Sequence, residues 1–282
     1  MMCDDAIEEP AHDAAPAAPM ADAASRVIAL DGTMVRDETR IVAVEAAIQV
    51  AFADIPFAVM MLTPADLVDF AYGFSLTEGM IDKADDIREV TIGPVEGGTR
   101  LRITLVGAKL QKHLARQRAM TGRTGCGVCG IDDLQALRRA TRVDAATRPV
   151  TIAAVARALA DLDQRQTLNA ATRAVHGAAW ADRSGAIREV REDVGRHNAL
   201  DKLIGALLRA RVDPADGFVL ITSRCSFEMV EKAATFGARL LVAISAPTSL
   251  AIARAEALDL TLVAIARRDT LTVFTHRDRL VV

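Results

Sequence analysis

From residue 217 onward, short apolar runs alternate with stretches of helical period, and this alternation leaves few folds open to the chain. Gly217–Thr222 reads as a strand, Ser226–Phe236 as a helix ended by Gly237, and Arg239–Ser245 as a strand. Thr248–Leu258 reads as a helix, Thr261–Ala266 as a strand, and Leu271–Thr275 as a last short strand. Parallel neighbours need crossover connections, so these units predict a largely parallel sheet with helices on both faces. Upstream, apolar residues at 199, 200, 203, 204, 207 and 208 mark a helix over Arg196–Arg211. Thr151 can cap an Ala-rich helix to about Gln164, and Ala174–Ala181 with Ala186–Glu192 reads as a hairpin. The expected fold class is α/β, with residues 149–282 forming a three-layer α/β/α domain. Ligands in such sheets bind beyond the carboxyl ends of the strands. Those ends are Ser223–Ser226, Ser245–Thr248 and Ala266–Asp269.

The first half is organised differently. Residues 1–24 are rich in Ala, Pro and Asp without apolar periodicity and read as a disordered tail, with order expected from Arg26. Residues 25–148 then read as a smaller α+β domain. It holds β segments at Val27–Leu30 and Ile41–Leu62, the latter broken near Asp54 and Pro56, and a hairpin of Ile87–Ile92 with Thr99–Val106 around Gly97-Gly98. Thr63-Pro64-Ala65-Asp66 predicts a capped helix start, and Gly79 a helix end. Lys109–Ala119 and Asp132–Arg142 read as helices on either side of a glycine-rich segment, Gly125-Cys126-Gly127-Val128-Cys129-Gly130.

Composition excludes several classes of function. A net charge of -3 over 282 residues argues against non-specific nucleic-acid binding, although a local basic patch could grip a phosphate. No apolar stretch approaches the roughly 20 residues of a spanning helix, and no basic region precedes Arg26 as a secretory signal would require. The expected partners therefore include no nucleic acid and no membrane, and the expected location is the cytoplasm. Thiols stay reduced there, and a close cysteine pair is more often catalytic or metal-binding than a structural staple.

Cys126 and Cys129 could share a disulfide, a metal ion or a transferable sulfur. Arg123 and the backbone amides of a glycine-rich segment favour a thiolate, the form that acts as nucleophile. A structural zinc site wants four ligands, and only scattered groups such as Cys225, His113, His176 and His197 could complete one. The element order of the second domain is also that of zinc-dependent cytidine deaminases. Their chemistry needs HxE and PCxxC at successive helix starts, where this chain has His197-Asn198-Ala199 and Arg224-Cys225-Ser226-Phe227-Glu228. The glutamate and one cysteine are missing, so the fold is expected without the deaminase reaction.

Charge concentrates in Glu192-Asp193-Val194-Gly195-Arg196-His197-Asn198-Ala199-Leu200-Asp201-Lys202. One reading is an acidic helix cap with His197 and Asp201 paired four residues apart. The other turns the helix start, Arg196 and His197 toward a nucleotide or phosphate. Arg267 and Arg268 after a strand, and Thr248 and Ser249 at a helix start, suit the same class of ligand.

Together these segments resemble the FdhD family of formate dehydrogenase accessory sulfurtransferases over about residues 26–282. The likeness is carried by Thr77-Glu78-Gly79-Met80, the Cys126/Cys129 segment, the 192–202 run, Phe227-Glu228-Met229-Val230-Glu231-Lys232 and Ser245-Ala246-Pro247-Thr248. The resemblance implies a protein that accepts sulfur from a cysteine desulfurase and passes it to the molybdenum cofactor, a bis-molybdopterin guanine dinucleotide, before that cofactor enters formate dehydrogenase. By motif match Cys126 would carry the persulfide, with Cys129 as relay or resolving thiol. The dinucleotide would be held by Ile265, Ala266, Arg267, Arg268, Asp269 and Thr270, with His197 and Thr248. Arg268-Asp269-Thr270 depart from the glycines and closing arginine usual there, and Arg267 is the contact best supported. A homodimer is compatible with the sequence. The rival expectation is a non-enzymatic cofactor chaperone whose CxxC binds zinc or shapes a loop, and a dithiol oxidoreductase is a further one.

Overall fold

Residues 17–107, 109, 140, 148–267 and 269–281 are described by the computed structural model. The first described element is a ribbon of β1 (Met20–Ile28) with β2 (Val35–Ala43), antiparallel and in unbroken register. The strand begins at Met20, so the expected tail is too long at its carboxyl end. Ala21, Asp22, Ala23 and Ala24 have little intrinsic strand preference, and cross-strand pairing with Arg40–Ala43 places them in the ribbon.

β3 (Ala46–Phe52), β4 (Ile55–Leu62), α1 (Leu67–Thr77), β5 (Ile87–Val95) and β6 (Gly98–Leu105) follow. Their four strands form a sheet in the order β4-β3-β6-β5. Thr63 does not cap α1. The residue before the helix is Asp66, at φ 54° and without a side-chain cap, while Thr63 is turned into the interior. The expected helices at 109–119 and 132–142 and the Cys126/Cys129 segment lie outside the described residues.

The second half runs β7 (Val150–Thr151), α2 (Ile152–Arg165), α3 (Thr167–Thr172), β8 (His176–Asp182) and β9 (Ile187–Asp193). It continues through α4 (Arg196–Arg209), β10 (Gly217–Ile221), α5 (Phe227–Phe236), β11 (Leu240–Ala243), α6 (Ser249–Ala257), β12 (Thr261–Ala264), β13 (Thr272–Val273) and β14 (Leu280–Val281). Thr151 caps α2, its hydroxyl oxygen accepting from the Ala154 amide at 3.1 Å. The main sheet has the order β13-β12-β11-β10-β8-β9. It is mixed rather than largely parallel: β10/β11 and β11/β12 are parallel, whereas β8/β10, β8/β9 and β12/β13 are antiparallel. The connections from β8 to β9 and from β12 to β13 are too short for the crossover of a dozen or so residues that parallel neighbours require.

This is an α/β fold with helices on both faces of the main sheet. Val155, Ala158 and Leu162 of α2 cover Ala179, Phe218, Leu220 and Val242 on one face. On the other, α4, α5 and α6 pack over Trp180, Val219, Ile221 and Leu241, and the same apolar cluster runs on through Phe70 and Phe74 of α1 to Ile48, Val50 and Leu101 of the four-stranded sheet. α1 and α4 cross where neither can carry a side chain. A Cβ on Gly73 would lie 1.7 Å from the Asp201 carbonyl oxygen, and one on Gly205 1.8 Å from that of Asp69.

Candidate functional site

The register brings every strand-end segment to one edge of the main sheet. His176 at the start of β8 faces Asp193 at the end of β9, and Ala178 faces Ile221 at the end of β10. Ile221 faces Ala243, and Val242 faces Val263, so the ends of β11 and β12 continue the same edge. The starts of α4, α5 and α6 therefore share this edge with the segment after β12. From β8 to β12 the edge spans three strand spacings, roughly 14 Å.

Its best-formed part lies between the starts of α4 and α5. The Nε2 of His197 is 2.7 Å from the Oε2 of Glu228, and both side chains are mostly buried. The expected His197 to Asp201 pairing is not made: Asp201 is instead bonded to Lys232 at 2.7 Å and to the Thr77 hydroxyl at 2.8 Å. The hydrogen bond to His197 holds the Glu228 carboxyl below its ordinary pKa, with the charges of His197, Arg196 and Lys232 acting in the same direction. His176 is pushed down, first by burial and then by Arg196, His197 and Arg224. Two polar atoms here, Arg196 Nε and Ser226 Oγ, are buried and make no hydrogen bond among the described residues. Cationic groups, helix starts and orphaned polar atoms on one edge form a setting for anionic oxygens.

Glu228 also yields a pH test. A carboxyl with a depressed folded pKa contributes stability that is present above its unfolded value and lost as pH falls through the folded one. Wild type should lose stability relative to Glu228→Gln as the medium is acidified below the ordinary carboxylate range, measured as the difference in urea midpoints. Parallel curves for the two proteins would contradict this assignment.

The remaining expected contacts are distributed along the edge. The Thr248 hydroxyl oxygen accepts from the Ala251 amide at 3.2 Å as a helix cap, and the Thr248 amide donates to the Cys225 carbonyl at 3.0 Å. Ile265 is held at φ 52°, an uncommon value for a β-branched residue, with its amide on the Ser245 carbonyl. Ala266 is buried and its amide bonds to Ala243. The Arg267 amide meets the Thr270 carbonyl at 2.7 Å, while its guanidinium donates to the carbonyls of Ala266 and Ile244. Asp269 and Thr270 are exposed. Arg268, Cys126 and Cys129 lie outside the described residues. Cys225 is fully buried, and burial pushes its thiol up to about 12, so it packs as a small apolar residue and not as a nucleophile.

Much of the 192–202 run faces inward. Lys202 and Asp193 are both 0% exposed and form an ion pair at 2.6 Å. Lys202 also donates to the Thr63 carbonyl at 2.9 Å, and Asp193 accepts from the Thr63 amide at 3.0 Å. The Thr63 hydroxyl accepts from Val194, and the Asn198 amide group donates to Asp193 and to the Met61 carbonyl. This network fixes the end of β4 against the start of α4. The signal available in the sequence was a lysine beside an apolar stripe, at a helical position flanked by Ala199 and Leu203. In α5, Glu231 pairs with Arg254 of α6 and accepts from the Ala140 amide, while Arg254 donates to the Ala140 carbonyl at 2.7 Å. Ala140 is thereby docked on the two helices whose starts border the edge.

The model of the FdhD/NarQ family matches residues 43–281. The sulfur carrier protein FdhD of Xanthomonas euvesicatoria pv. vesicatoria is 48% identical over 239 residues, 85% of this chain and 85% of that one. The sulfur carrier protein FdhD of Bordetella petrii is 43% identical over 239 residues, 85% of this chain and 86% of its own. A crystal structure from Desulfotalea psychrophila, assigned as a formate dehydrogenase accessory protein, superposes with a TM-score of 0.74 at 27% identity, covering 93% of this chain and 99% of that one.

Proposed function

Because this chain belongs to the FdhD/NarQ family, we propose that it is a sulfurtransferase, a sulfur carrier that receives sulfur from a cysteine desulfurase as a persulfide on Cys126. It delivers that sulfur to the molybdenum cofactor, a bis-molybdopterin guanine dinucleotide bound as substrate, which then serves formate dehydrogenase. The observation that carries the binding half of this reading is the strand-end edge, where Arg196, Arg224 and Arg267 accompany three helix starts over a length suited to a dinucleotide. The buried, unpartnered Arg196 Nε and Ser226 Oγ fit phosphate oxygens. Arg196 binds and Ser226 orients, while Glu228 holds the His197 ring toward the ligand. Arg267 is braced on two carbonyls beside Ile265, Ala266, Asp269 and Thr270. Among the described residues no helix is long and apolar enough to cross a membrane.

The sulfur chemistry belongs to Cys126 and Cys129. In loading, the Cys126 thiolate attacks the outer sulfur of the desulfurase's cysteine persulfide, the S–S bond of that persulfide breaks, and the desulfurase cysteine leaves as a thiolate. With Cys129 as resolving thiol, its thiolate attacks the Cys126 sulfur, the persulfide S–S bond breaks, and hydrosulfide leaves. The resulting disulfide is reopened by a dithiol reductant. The test is anaerobic loading by a desulfurase, with the persulfide located by mass spectrometry. Cys126→Ala should lose the added sulfur and all delivery, with far-ultraviolet circular dichroism unchanged. Intact loading and delivery by this variant, or a stoichiometric zinc that resists sulfur loading, would overturn the reading.

A further inference from the structure

The opposite edge of the main sheet carries a second cluster of cations, around a cavity remote from the strand-end edge. Gly217, Leu240 and Thr261 open β10, β11 and β12, and all three border this cavity together with Arg148, Arg239 and Arg279. β10 is five residues long, so roughly 15 Å of strand separates the cavity from the edge where α4, α5 and α6 begin. Distant parts of the chain supply the arginines. Pairing of β14 with β7, Leu280 opposite Val150, brings the segment of Arg279 alongside that of Arg148. Pairing of β11 with β12 sets Arg239 next to Thr261, whose amide donates to the Arg239 carbonyl at 2.8 Å.

The charges around this cavity do not cancel. Arg239 and Arg279 share one carboxylate, Asp259, and Arg148 pairs with Asp216 at 3.1 Å. Three guanidinium groups against two carboxylates leave one positive charge over, and among the described residues no carboxylate borders the cavity. Thr261 is 1% exposed, and its hydroxyl is buried without a hydrogen bond among the described residues. Buried hydroxyls are normally matched. Arginine has donors and no acceptor, so the surrounding guanidinium groups cannot take the hydroxyl proton, whereas a guest rich in acceptors would serve the hydroxyl and the arginines together. The room is small. The centre of a water-sized sphere can move through about 20 Å³, which suits one small ion and excludes a nucleotide. We propose that this cavity binds an inorganic oxyanion of phosphate size between the Thr261 hydroxyl and the three arginines, as a site separate from the strand-end edge. Its oxygens accept from the hydroxyl and from the guanidinium forks. The bound ion ties Arg148, at the start of the second half, to Arg279 near its end. This inference is independent of the sulfur chemistry.

The test is thermal unfolding of the full chain, followed by circular dichroism, in sodium phosphate and in sodium chloride at equal ionic strength. An ion bound only by the folded state raises the unfolding midpoint as its concentration rises. Exclusion of phosphate from the protein surface raises every midpoint alike, so binding is read as the response of wild type beyond that of a variant. Thr261→Val removes an unmatched hydroxyl, and Arg148→Gln removes a charge paired only at the surface, so both should unfold near wild type in chloride. Each should need about tenfold more phosphate than wild type for the same rise. Arg196→Gln acts at the opposite edge and should leave in place the response that depends on Thr261. A wild-type response no larger than that of both Thr261→Val and Arg148→Gln, or one abolished by Arg196→Gln, would overturn the proposal.

Discussion

Replacing Lys202 by methionine should cost the fold about 3 to 5 kcal/mol, the usual consequence of leaving one member of a fully buried ion pair without its partner. The methylene stem is kept, so packing changes little and the loss reports the ammonium. Asp193 would retain its bonds from the amides of Thr63 and Gly195 and from Asn198, but its charge would have no counter-ion at 2.6 Å. Small domains have about 5 to 15 kcal/mol in total, so the variant should be near the limit of soluble expression and should unfold at much lower urea. A double-mutant cycle with Asp193→Asn should give a coupling of about 1 to 3 kcal/mol. A cost below about 1 kcal/mol for Lys202→Met would mean that the pair does not hold β4 to α4 as its burial implies.

Gly205→Ala tests packing against propensity, because the two predict opposite signs. In an exposed helix interior alanine is more favourable than glycine by about 1 kcal/mol. Here the new Cβ would meet the Asp69 carbonyl oxygen at 1.8 Å, and both neighbouring groups are backbone. α1 and α4 must separate, and overpacking of this kind costs about 1 to 3 kcal/mol. Gly205→Val should cost more and remove most of the soluble protein. Gly93, which has open space around its Cβ position, is the control: Gly93→Ala should shift the denaturation midpoint little. A stabilised Gly205→Ala protein would show that the two helices cross less closely than the structure places them.

The sequence made the order of helices and strands in the second half legible because each is short, strongly periodic and punctuated by a cap or a glycine. Strand order and direction were not legible. Nothing local in β8 shows that it will lie antiparallel to β10, with β9 and α4 intervening between them in the chain. Thr63 carried a helix-cap signature, yet a buried Asp193 far along the chain engages its amide. Tertiary bonding overrode the local preference there. The 192–202 run advertised its charge but not its direction. His197 and Arg196 border the strand-end edge, whereas Asp193, Asn198, Asp201 and Lys202 are interior: Asn198 donates to Met61 of β4 and Lys202 to Thr63 just after it, while Asp201 accepts from Thr77 of α1 and from a lysine in α5. A pairing such as His197 with Glu228 cannot be read from helical spacing, because it joins two helices whose separation is set by the sheet beneath them.

The junction of α1 with α4 also bears on how the chain is made. Thr63 and its partner Asp193 are 130 residues apart, so at ribosomal speed α1 leaves the exit tunnel on the order of ten seconds before α4 exists to receive it. During that interval the surface of α1 around Gly73, which α4 covers in the finished protein, faces solvent or whatever attendant protein binds it. Synthesis rate and chaperone supply, alongside the strength of the finished contacts, should therefore set the yield of this protein in a heterologous host.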